Sequence, residues 1–447
     1  MDLYIIPFQD QFLIYRPLRH LAFVGNAALV DYIRRRLQGP VAATNAEVEG
    51  FLESVGFWRP GWDCEELPDA NDIRPTTAVL LMTNRCNLRC IYCYADGGAA
   101  ATVEELTWPV AQAVIEAAFA NARCPDAGPP GLTFHGGGEP TLHWELLERC
   151  VRYARDLAPD CRVSMSSNGV WTADQQRFIC EHFSEVSLSM DGLPEVQNIQ
   201  RPWANGANSF PRVRESMTAL DEAAVNYGVR MTVLPESVGR LVAGVRLLCE
   251  QTRAASIQVE PTFTSARGVY SDLDPVFATA FSTAFLEAWR VCVEAGRNVY
   301  YSGARPWVIS PAFCLAPLRA IVATPGGQLM TCFEIFSGGH GKAGAFQIGR
   351  VHHGRVEYDR PALRAFLAEQ RQRREACREC FCYWHCCGDC ATRRQPATSL
   401  SSGRCHVTRT VTRELLAAYI ADGGGVWEGI RETPPPEGIE VAHRAPS

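Results

Sequence analysis

The chain has 447 residues, of which 47% are hydrophobic and 21% charged, as in a soluble globular protein with length for about three domains of roughly 150 residues. The formal net charge of −6 gives no reason to expect nucleic acid or an acidic membrane as partner. The first residues lack a secretion signal, and no uncharged apolar run of about 18 residues predicts a membrane span. We therefore expect a cytoplasmic protein whose 19 cysteines are metal ligands, catalytic thiols or core residues rather than disulfides.

Residues 1–60 predict a small α+β domain. Three short apolar runs with strand character come first, and two helical patterns follow, the first of them capped by Asn26. Residues 61–76 are rich in Pro, Asp and Gly and lack periodicity, which predicts a linker.

Residues 77–305 alternate between strand and helix patterns. About six strands are expected, among them "AVLLMT", "GLTFH", "RVSMSS" and "EVSLS". This rhythm predicts an α/β fold with a parallel sheet and outer helices, closed into a partial or full barrel. Such folds bind ligands at the carboxyl ends of their strands.

The last third of the chain loses this rhythm. Residues 306–420 are rich in cysteine and show only weak strand alternation. Residues 421–447 are rich in Gly and Pro, which predicts a loose tail.

A three-cysteine loop directly follows the first strand of the α/β region. In "TNRCNLRCIYCYADGG", Cys86, Cys90 and Cys93 are spaced C-x3-C-x2-C. Three thiolates on one loop can each bind one corner of a 4Fe-4S cluster and leave the fourth iron open to a ligand. Zinc loops usually show paired C-x2-C units, which this segment lacks.

This loop resembles the signature of the radical S-adenosylmethionine (SAM) superfamily, C-x3-C-x-aromatic-C. Further motifs follow in the expected order over about residues 77–270, namely "HGGGEP", "SSNG", "SMDG" and "QNIQRP". In such enzymes the glutamate approaches the methionine amino group of SAM and the arginine approaches its carboxylate. The resemblance implies SAM contacts from Tyr92, Gly137, Gly138, Glu139, Ser166, Asn168, Ser189 and Arg201.

The same resemblance implies an activity. One electron from an external reductant such as flavodoxin or ferredoxin reaches the cluster, and SAM is cleaved to methionine and a 5'-deoxyadenosyl radical that abstracts hydrogen from an unreactive carbon. Asp191, Glu260 and His135 are candidate proton acceptors near strand ends, but each can equally be structural.

The second cysteine array runs in the order C…G-x4-C…C-x2-C-x5-C-x3-C…C and resembles the SPASM extension of radical SAM enzymes. That extension holds two auxiliary 4Fe-4S clusters. The resemblance implies one cluster bound by four cysteines and another bound by three, which are respectively Cys377, Cys380, Cys386 and Cys405, and Cys314, Cys332 and Cys390.

Several points about this array stay open. The fourth position of the three-cysteine cluster is open, is filled by Cys292 or another residue, or is taken by substrate. Cys382 and Cys387 fall outside the pattern and are predicted to be packed thiols. Zinc held by four cysteines is the competing interpretation.

The expected fold is therefore a radical SAM partial (β/α)6 barrel with a C-terminal SPASM domain and a small N-terminal α+β domain. The N-terminal pattern resembles the winged-helix-like module that binds leader peptides of ribosomally made natural products by strand addition, and a plain accessory domain is the alternative. The leading hypothesis is a peptide maturase that installs a cyclophane, thioether or ether cross-link in a precursor peptide. The alternatives are formylglycine formation on a sulfatase Cys or Ser, and an iron–sulfur electron-transfer or scaffold protein.

Overall fold

The computed structural model of the protein describes residues 2–39, 45–99, 102–125, 127–393 and 402–429. The N-terminal unit begins with three consecutive antiparallel strands and continues with two helices. They are β1 (Tyr4–Phe8), β2 (Gln11–Arg16), β3 (Leu21–Gly25), α1 (Ala27–Gln38) and α2 (Ala46–Ser54). Asn26 starts α1 as predicted, because its side chain accepts a hydrogen bond from the backbone of Leu29.

Six parallel strands follow, and their order in the sheet is their order in the chain. The strands are β4 (Thr77–Leu81), β5 (Gly131–His135), β6 (Arg162–Ser167), β7 (Glu185–Ser189), β8 (Asn226–Val233) and β9 (Ser256–Pro261). The helices between them are α3 (Trp108–Asn121), α4 (Trp144–Leu157), α5 (Ala173–His182), α6 (Pro194–Gln200), α7 (Phe210–Glu222) and α8 (Leu241–Gln251). The predicted α/β fold is confirmed.

The barrel sheet is extended beyond both β9 and β4. After β9 come a separate two-stranded hairpin, one long helix and a further strand that pairs parallel to β9, namely β10 (Thr264–Ala266), β11 (Val269–Tyr270), α9 (Pro275–Glu294) and β12 (Val299–Tyr300). The cysteine-rich part follows. The next elements include β13, which pairs parallel to β4, and an antiparallel meander beyond it. They are α10 (Ala316–Arg319), β13 (Ala320–Ala323), β14 (Gln328–Met330), α11 (Ala343–Phe346), β15 (Gln347–His352) and β16 (Arg355–Tyr358). The last elements are α12 (Arg360–Glu375), α13 (Tyr383–Cys386), α14 (Gly403–Asp422) and β17 (Val426–Trp427).

One hydrophobic core joins the barrel to the cysteine-rich part, since it extends from Leu67 to Leu415. The helix α9 belongs to this core. Among the described residues, α9 is long and apolar enough to cross a membrane, by length and composition alone, although the sequence predicted no membrane span. Half of its most apolar stretch is buried inside the fold, as in the core helix of a globular protein.

The loose-tail prediction is wrong for the first part of residues 421–447. The strand β17 pairs antiparallel with β3, and Trp427 packs against Tyr15 and stacks on Tyr419. Burial of this indole outweighs the flexibility of the glycines before it. Truncation of a buried Trp to Ala typically costs about 3–5 kcal/mol of folding free energy. The rest of that segment, residues 430–447, lies outside the described residues.

Candidate active site

The three-cysteine loop lies at the carboxyl end of β4, with all three thiols half-buried. Burial, followed by the nearby Cys90 thiol, raises the pKa of Cys86 to about 12, and burial raises the pKa of Cys90 to about 11. The backbone N–H of Gly97 donates to Cys93 Sγ at 3.4 Å. The ligand of a cluster iron is the thiolate, and a bound cluster would supply the positive charge that stabilises three neighbouring thiolates in this buried place, so the donor set fits the predicted cluster.

Arg89 braces this loop from within. Its guanidinium donates to the carbonyl of Cys86 at 2.7 Å and to the carbonyl of Gly98 at 2.8 Å. Gly98 has a positive φ of 77°, which favours glycine there. These bonds fix the loop in a closed turn around its cysteines.

Arg267 braces the loop from outside. It follows β10, and it donates to the carbonyl of Cys90 at 2.7 Å and to the carbonyl of Gly97 at 2.8 Å. It also pairs with Asp96 at 2.6 Å. Sequence reasoning missed Arg267, because nothing in its local sequence points to a loop so far away along the chain.

The glycines of "HGGGEP" lie against the cysteine loop. A Cβ atom at Gly138 would collide with the backbone carbonyl of Arg85, and one at Gly137 would collide with the ring of Phe336. Only glycine fits at Gly138, because the clash there is with backbone, whereas a side chain at Gly137 would have to displace the Phe336 ring.

Glu139 is buried at the junction of β5 and β6. Its Oε1 accepts hydrogen bonds from the hydroxyls of Thr141 and Ser167, at 2.9 and 2.8 Å, and its Oε2 accepts one from the backbone of Asn168 at 2.8 Å. Burial raises the pKa of this carboxyl, and these donors oppose the rise. Oε2 therefore keeps a lone pair for a cationic ligand, while Ser167, which sequence reasoning passed over, holds the group in place.

Arg201 lies in a buried ion pair with Asp191. Its guanidinium donates to both Asp191 oxygens, at 2.9 and 3.1 Å, and lies 5.1 Å from the ring centroid of Tyr92. Tyr92, Gln200 and the backbone of Thr232 also donate to Asp191. With five donors on its two oxygens, Asp191 has a structural role here, which is to hold Arg201 and Tyr92 in place.

The other side chains predicted to contact SAM differ in whether they already have hydrogen-bond partners within the protein. The Asn168 side chain donates to Asn87 at 2.7 Å and accepts from the Val170 backbone, so it ties β6 to the cysteine loop. Ser166 and Ser189 are half-buried, and within the described chain neither hydroxyl has a hydrogen-bond partner. These two serines lie on the inner face of the barrel.

That inner face is polar and open, and we call it the chamber. Glu260 accepts from the Gln258 side chain and from the Ser302 backbone, both at 3.0 Å. His135 Nδ1 accepts from the Gly136 backbone at 3.0 Å, and burial lowers the pKa of His135 to about 4, which keeps the ring neutral. Neutral and bonded at Nδ1, His135 is a donor to the chamber through Nε2 rather than a base.

A cavity of about 200 Å³ lies in the cysteine-rich part. Its walls include the four cysteines of the predicted fully bound cluster, which are Cys377, Cys380, Cys386 and Cys405. Cys382 lines it too, so this off-pattern thiol belongs to the same pocket. Cys387 does not line it; its thiol donates to the Ser310 carbonyl at 3.1 Å.

The remaining three cysteines lie together elsewhere. Burial and the Glu334 carboxylate raise the pKa of Cys332 well above its usual value, and the neighbouring thiols of Cys390 and Cys314 add to this rise, although the Cys314 residue itself is exposed. Cys292 does not complete this group, because its Sγ lies 3.3 Å from that of Cys249 inside the core.

None of the described His, Cys, Asp and Glu side chains form a group of three or more placed to share one metal ion. The thiolates of a 4Fe-4S cube each bind a different corner and do not need to converge on one point.

The structure brings the segment after Cys332 over the chamber. The Phe333 ring lies 5.5 Å from that of His135, and Glu334 pairs with Arg393. The three-cysteine group of the cysteine-rich part therefore lies beside the chamber that the barrel forms.

Residues 80–246 match the Radical SAM superfamily, so the chain contains a radical SAM domain. Members of this superfamily are enzymes that bind a 4Fe-4S cluster and SAM. The chain therefore carries a domain of a superfamily whose members are enzymes.

Two curated proteins are similar to the chain at low sequence identity. The chain is 28% identical over 211 residues to the Fe-coproporphyrin III synthase of Methanosarcina barkeri, covering 45% of this chain and 49% of that one. It is 23% identical over 322 residues to the serine-type anaerobic sulfatase-maturating enzyme of Klebsiella aerogenes, covering 68% and 76%. The matches to the first curated relatives span about half of those proteins' length.

A solved structure of anSMEcpe with bound AdoMet shares the fold. Its TM-score is 0.60 at 17% identity, and the match covers 78% of this chain and 98% of that one. At 17% sequence identity, this similarity shows a shared fold and nothing further.

Proposed function

We propose that the protein is a radical SAM peptide maturase that abstracts hydrogen from a precursor peptide to install a cross-link. One observation carries this proposal. A cysteine group from the C-terminal part, Cys314, Cys332 and Cys390, lies beside the same chamber that the SAM-binding motifs face. A reaction that closes a new bond after hydrogen abstraction needs an electron acceptor near the substrate.

The residues fall into three groups by role. Cys86, Cys90 and Cys93 hold the cluster that binds SAM; Tyr92, Gly137, Gly138, Glu139, Ser166, Asn168, Ser189 and Arg201 bind or position SAM; and the seven cysteines of the C-terminal part hold two auxiliary clusters. When bound, these groups supply a 5'-deoxyadenosyl radical for hydrogen abstraction and an acceptor for the electron that product formation releases.

The protein's own side chains do the positioning. Glu139 offers Oε2 to an ammonium group, and the Asp191 pair fixes the guanidinium of Arg201 at the mouth of the barrel. Phe333 and Phe336 lie against His135 and Gly137 and place apolar rings at this edge of the chamber.

Two observations favour a peptide as substrate. The anSMEcpe fold has been solved with AdoMet and the Cp18Cys peptide together. In the N-terminal unit, the sheet order β1-β2-β3-β17 leaves the outer edges of β1 and β17 for an added strand, since β17 already pairs with β3. We propose that this unit binds the leader of the precursor peptide.

A second candidate is formylglycine formation on a sulfatase. The match to the sulfatase-maturating enzyme of Klebsiella aerogenes favours it, because that match spans 76% of the relative. A peptide-binding role of the N-terminal unit would count against it.

The test is anaerobic reconstitution with SAM and dithionite, followed by assay of 5'-deoxyadenosine, with Cys86→Ala as the control. Wild-type protein is then co-expressed with a candidate precursor peptide or with a sulfatase peptide. A peptide that loses two hydrogens and does not react with an aldehyde probe supports a cross-link. An aldehyde on the sulfatase peptide alone would support the second candidate, and no 5'-deoxyadenosine above the control would reject both.

A further inference from the structure

Arg230 lies on β8 with its side chain on the inner face of the barrel. Its strand alternates strictly, since Tyr227, Val229, Met231 and Val233 are buried toward the helices while Arg230 is exposed. A strand sends alternate side chains to opposite faces, so Arg230 points away from the helices and into the chamber. An exposed arginine on a central strand shows that the chamber is open around it.

Within the described part of the chain, no residue forms a hydrogen bond or a salt bridge with the Arg230 side chain. The Glu334 carboxylate lies near enough for the Arg230 charge to contribute to lowering its pKa, but Glu334 is paired with Arg393. Arg201 and Arg404 are likewise paired, with Asp191 and Asp389. Because Arg230 is exposed to the chamber and has no such pair, its guanidinium is available to an anionic ligand.

Other donors face the same space. Across the sheet, Arg230 is in register with Ser189 on one side and Gln258 on the other. The Arg230 charge also contributes to lowering the pKa of His135, which places the cation near the Nε2–H that His135 offers to the chamber. A guanidinium and an imidazole N–H that face one space match the acceptors of a carboxylate.

The position favours a substrate carboxylate over that of SAM. The cysteine loop follows β4, whereas Gln258 and Tyr300 beside Arg230 belong to β9 and β12 at the far end of the barrel sheet. The resemblance already gives the SAM carboxylate an arginine, Arg201. Arg230 is a second cation on the side of the chamber away from the cluster loop.

We propose that Arg230 binds a carboxylate of the substrate, so that the enzyme acts on a peptide presenting Asp, Glu or its own C-terminus to the chamber. The inference rests on the proposed peptide substrate. Arg230 would then determine substrate specificity. Its planar guanidinium can donate to both oxygens of a carboxylate, whereas a side-chain amide has only one oxygen acceptor.

The test uses two single-residue probes, N-acetyl-aspartate N-methylamide and its asparagine analogue, with the reconstituted holoenzyme and SAM. Calorimetry is expected to show roughly tenfold or greater preference of the wild type for the aspartyl probe, since a charge-assisted pair is lost with the amide. Arg230→Gln removes this preference and Arg230→Lys keeps part of it. Arg350→Gln, which changes an exposed arginine on β15, leaves the preference intact.

Two results would overturn the proposal. One is a wild type without preference, or a preference that persists in Arg230→Gln at wild-type iron content. The other is a matching loss of SAM affinity in Arg230→Gln, which would assign the cation to the cofactor. Failure of the proposed function would appear separately, as a wild type that prefers the aspartyl probe but modifies no peptide.

Discussion

Asp191 binds three side chains at the mouth of the barrel, since Tyr92, Gln200 and Arg201 all donate to its carboxylate. Both members of its ion pair with Arg201 are buried, with side-chain exposures of 0% and 9%. A buried pair adds little net stability, but removing one partner leaves the other charge without compensation. Asp191 therefore controls where Arg201 points as well as whether the region folds.

We predict that Asp191→Asn lowers the free energy of unfolding by about 3–5 kcal/mol, because the Arg201 charge stays buried without a counter-ion. Anaerobic urea unfolding of the reconstituted protein measures this. The matched control is Glu148→Gln, which breaks an exposed pair with Arg152 on α4 and is expected to change stability by less than about 0.5 kcal/mol. Equal effects of the two substitutions would contradict the structural role of Asp191.

At the scale of elements, the short helix α13 separates two adjacent cysteines. Cys386 ends the helix and lines the 200 Å³ cavity, whereas Cys387 follows with a positive φ of 48° and its thiol bonds to Ser310. The turn from helix to left-handed backbone thus sends neighbouring thiols in different directions.

We predict that Cys386→Ala lowers the iron content by one cluster, from about twelve to about eight atoms per chain, because a cubane loses a corner ligand. Cys387→Ala removes only a packed thiol and is expected to keep all the iron. Anaerobic reconstitution followed by iron and sulfide analysis distinguishes them. Equal iron loss in both variants would contradict the proposal that Cys386 is a cluster ligand and Cys387 is not.

The strand β17 joins the two ends of the chain in one sheet. Trp427 lies near His20, whose ring also meets Trp62 edge-on at 4.7 Å. Burial lowers the pKa of His20 from 6.5 to about 4, so the folded state holds it neutral. A group with a depressed folded pKa contributes stability above its unfolded pKa and loses that contribution as the pH falls toward the folded value.

Stability should therefore fall from pH 6.5 toward pH 4 through His20, by at most about 1.4 kcal/mol per pH unit. His20→Phe keeps the ring and cannot titrate, so it is expected to lose less stability over the same interval. Thermal unfolding of both proteins between pH 5 and 7.5 gives the comparison, in which other groups cancel. Parallel pH profiles for the two proteins would exclude His20 as the source.

For the whole molecule, the sequence predicted the fold best where the residues of the site directly follow a strand in the chain. The cysteine loop and three of the four motifs after it each lie at the end of a strand, so the α/β fold with its radical SAM domain could be predicted and is confirmed. The braces from Arg267 and the pairing of β17 with β3 join residues more than a hundred positions apart. Such contacts leave no local periodicity, and only the folded chain shows them.

The same long-range packing fixes the N-terminal unit on the rest of the protein. One face of its sheet, including Leu13 and Tyr15, packs on Leu416, Ile420 and Trp427 from α14 and β17. The helix α14 also carries Cys405, a predicted ligand of the fully bound cluster. Removal of the N-terminal unit would expose apolar surface on an element that holds iron.

We predict that deletion of residues 1–60 destabilises the remaining chain by about 5–9 kcal/mol, since three large side chains each lose roughly 1.5–3 kcal/mol of burial. That is a large part of the 5–15 kcal/mol that typically holds a protein folded. Thermal unfolding and iron analysis of the deleted protein test this, and Leu416→Ala is a milder version expected to cost about 2–5 kcal/mol. Ile199→Ala, at a side chain that is 68% exposed, is the control expected within about 0.5 kcal/mol. A deleted protein with full-length melting temperature and iron would show instead that the N-terminal unit is an independent module, attached to the enzyme only as a carrier of its peptide.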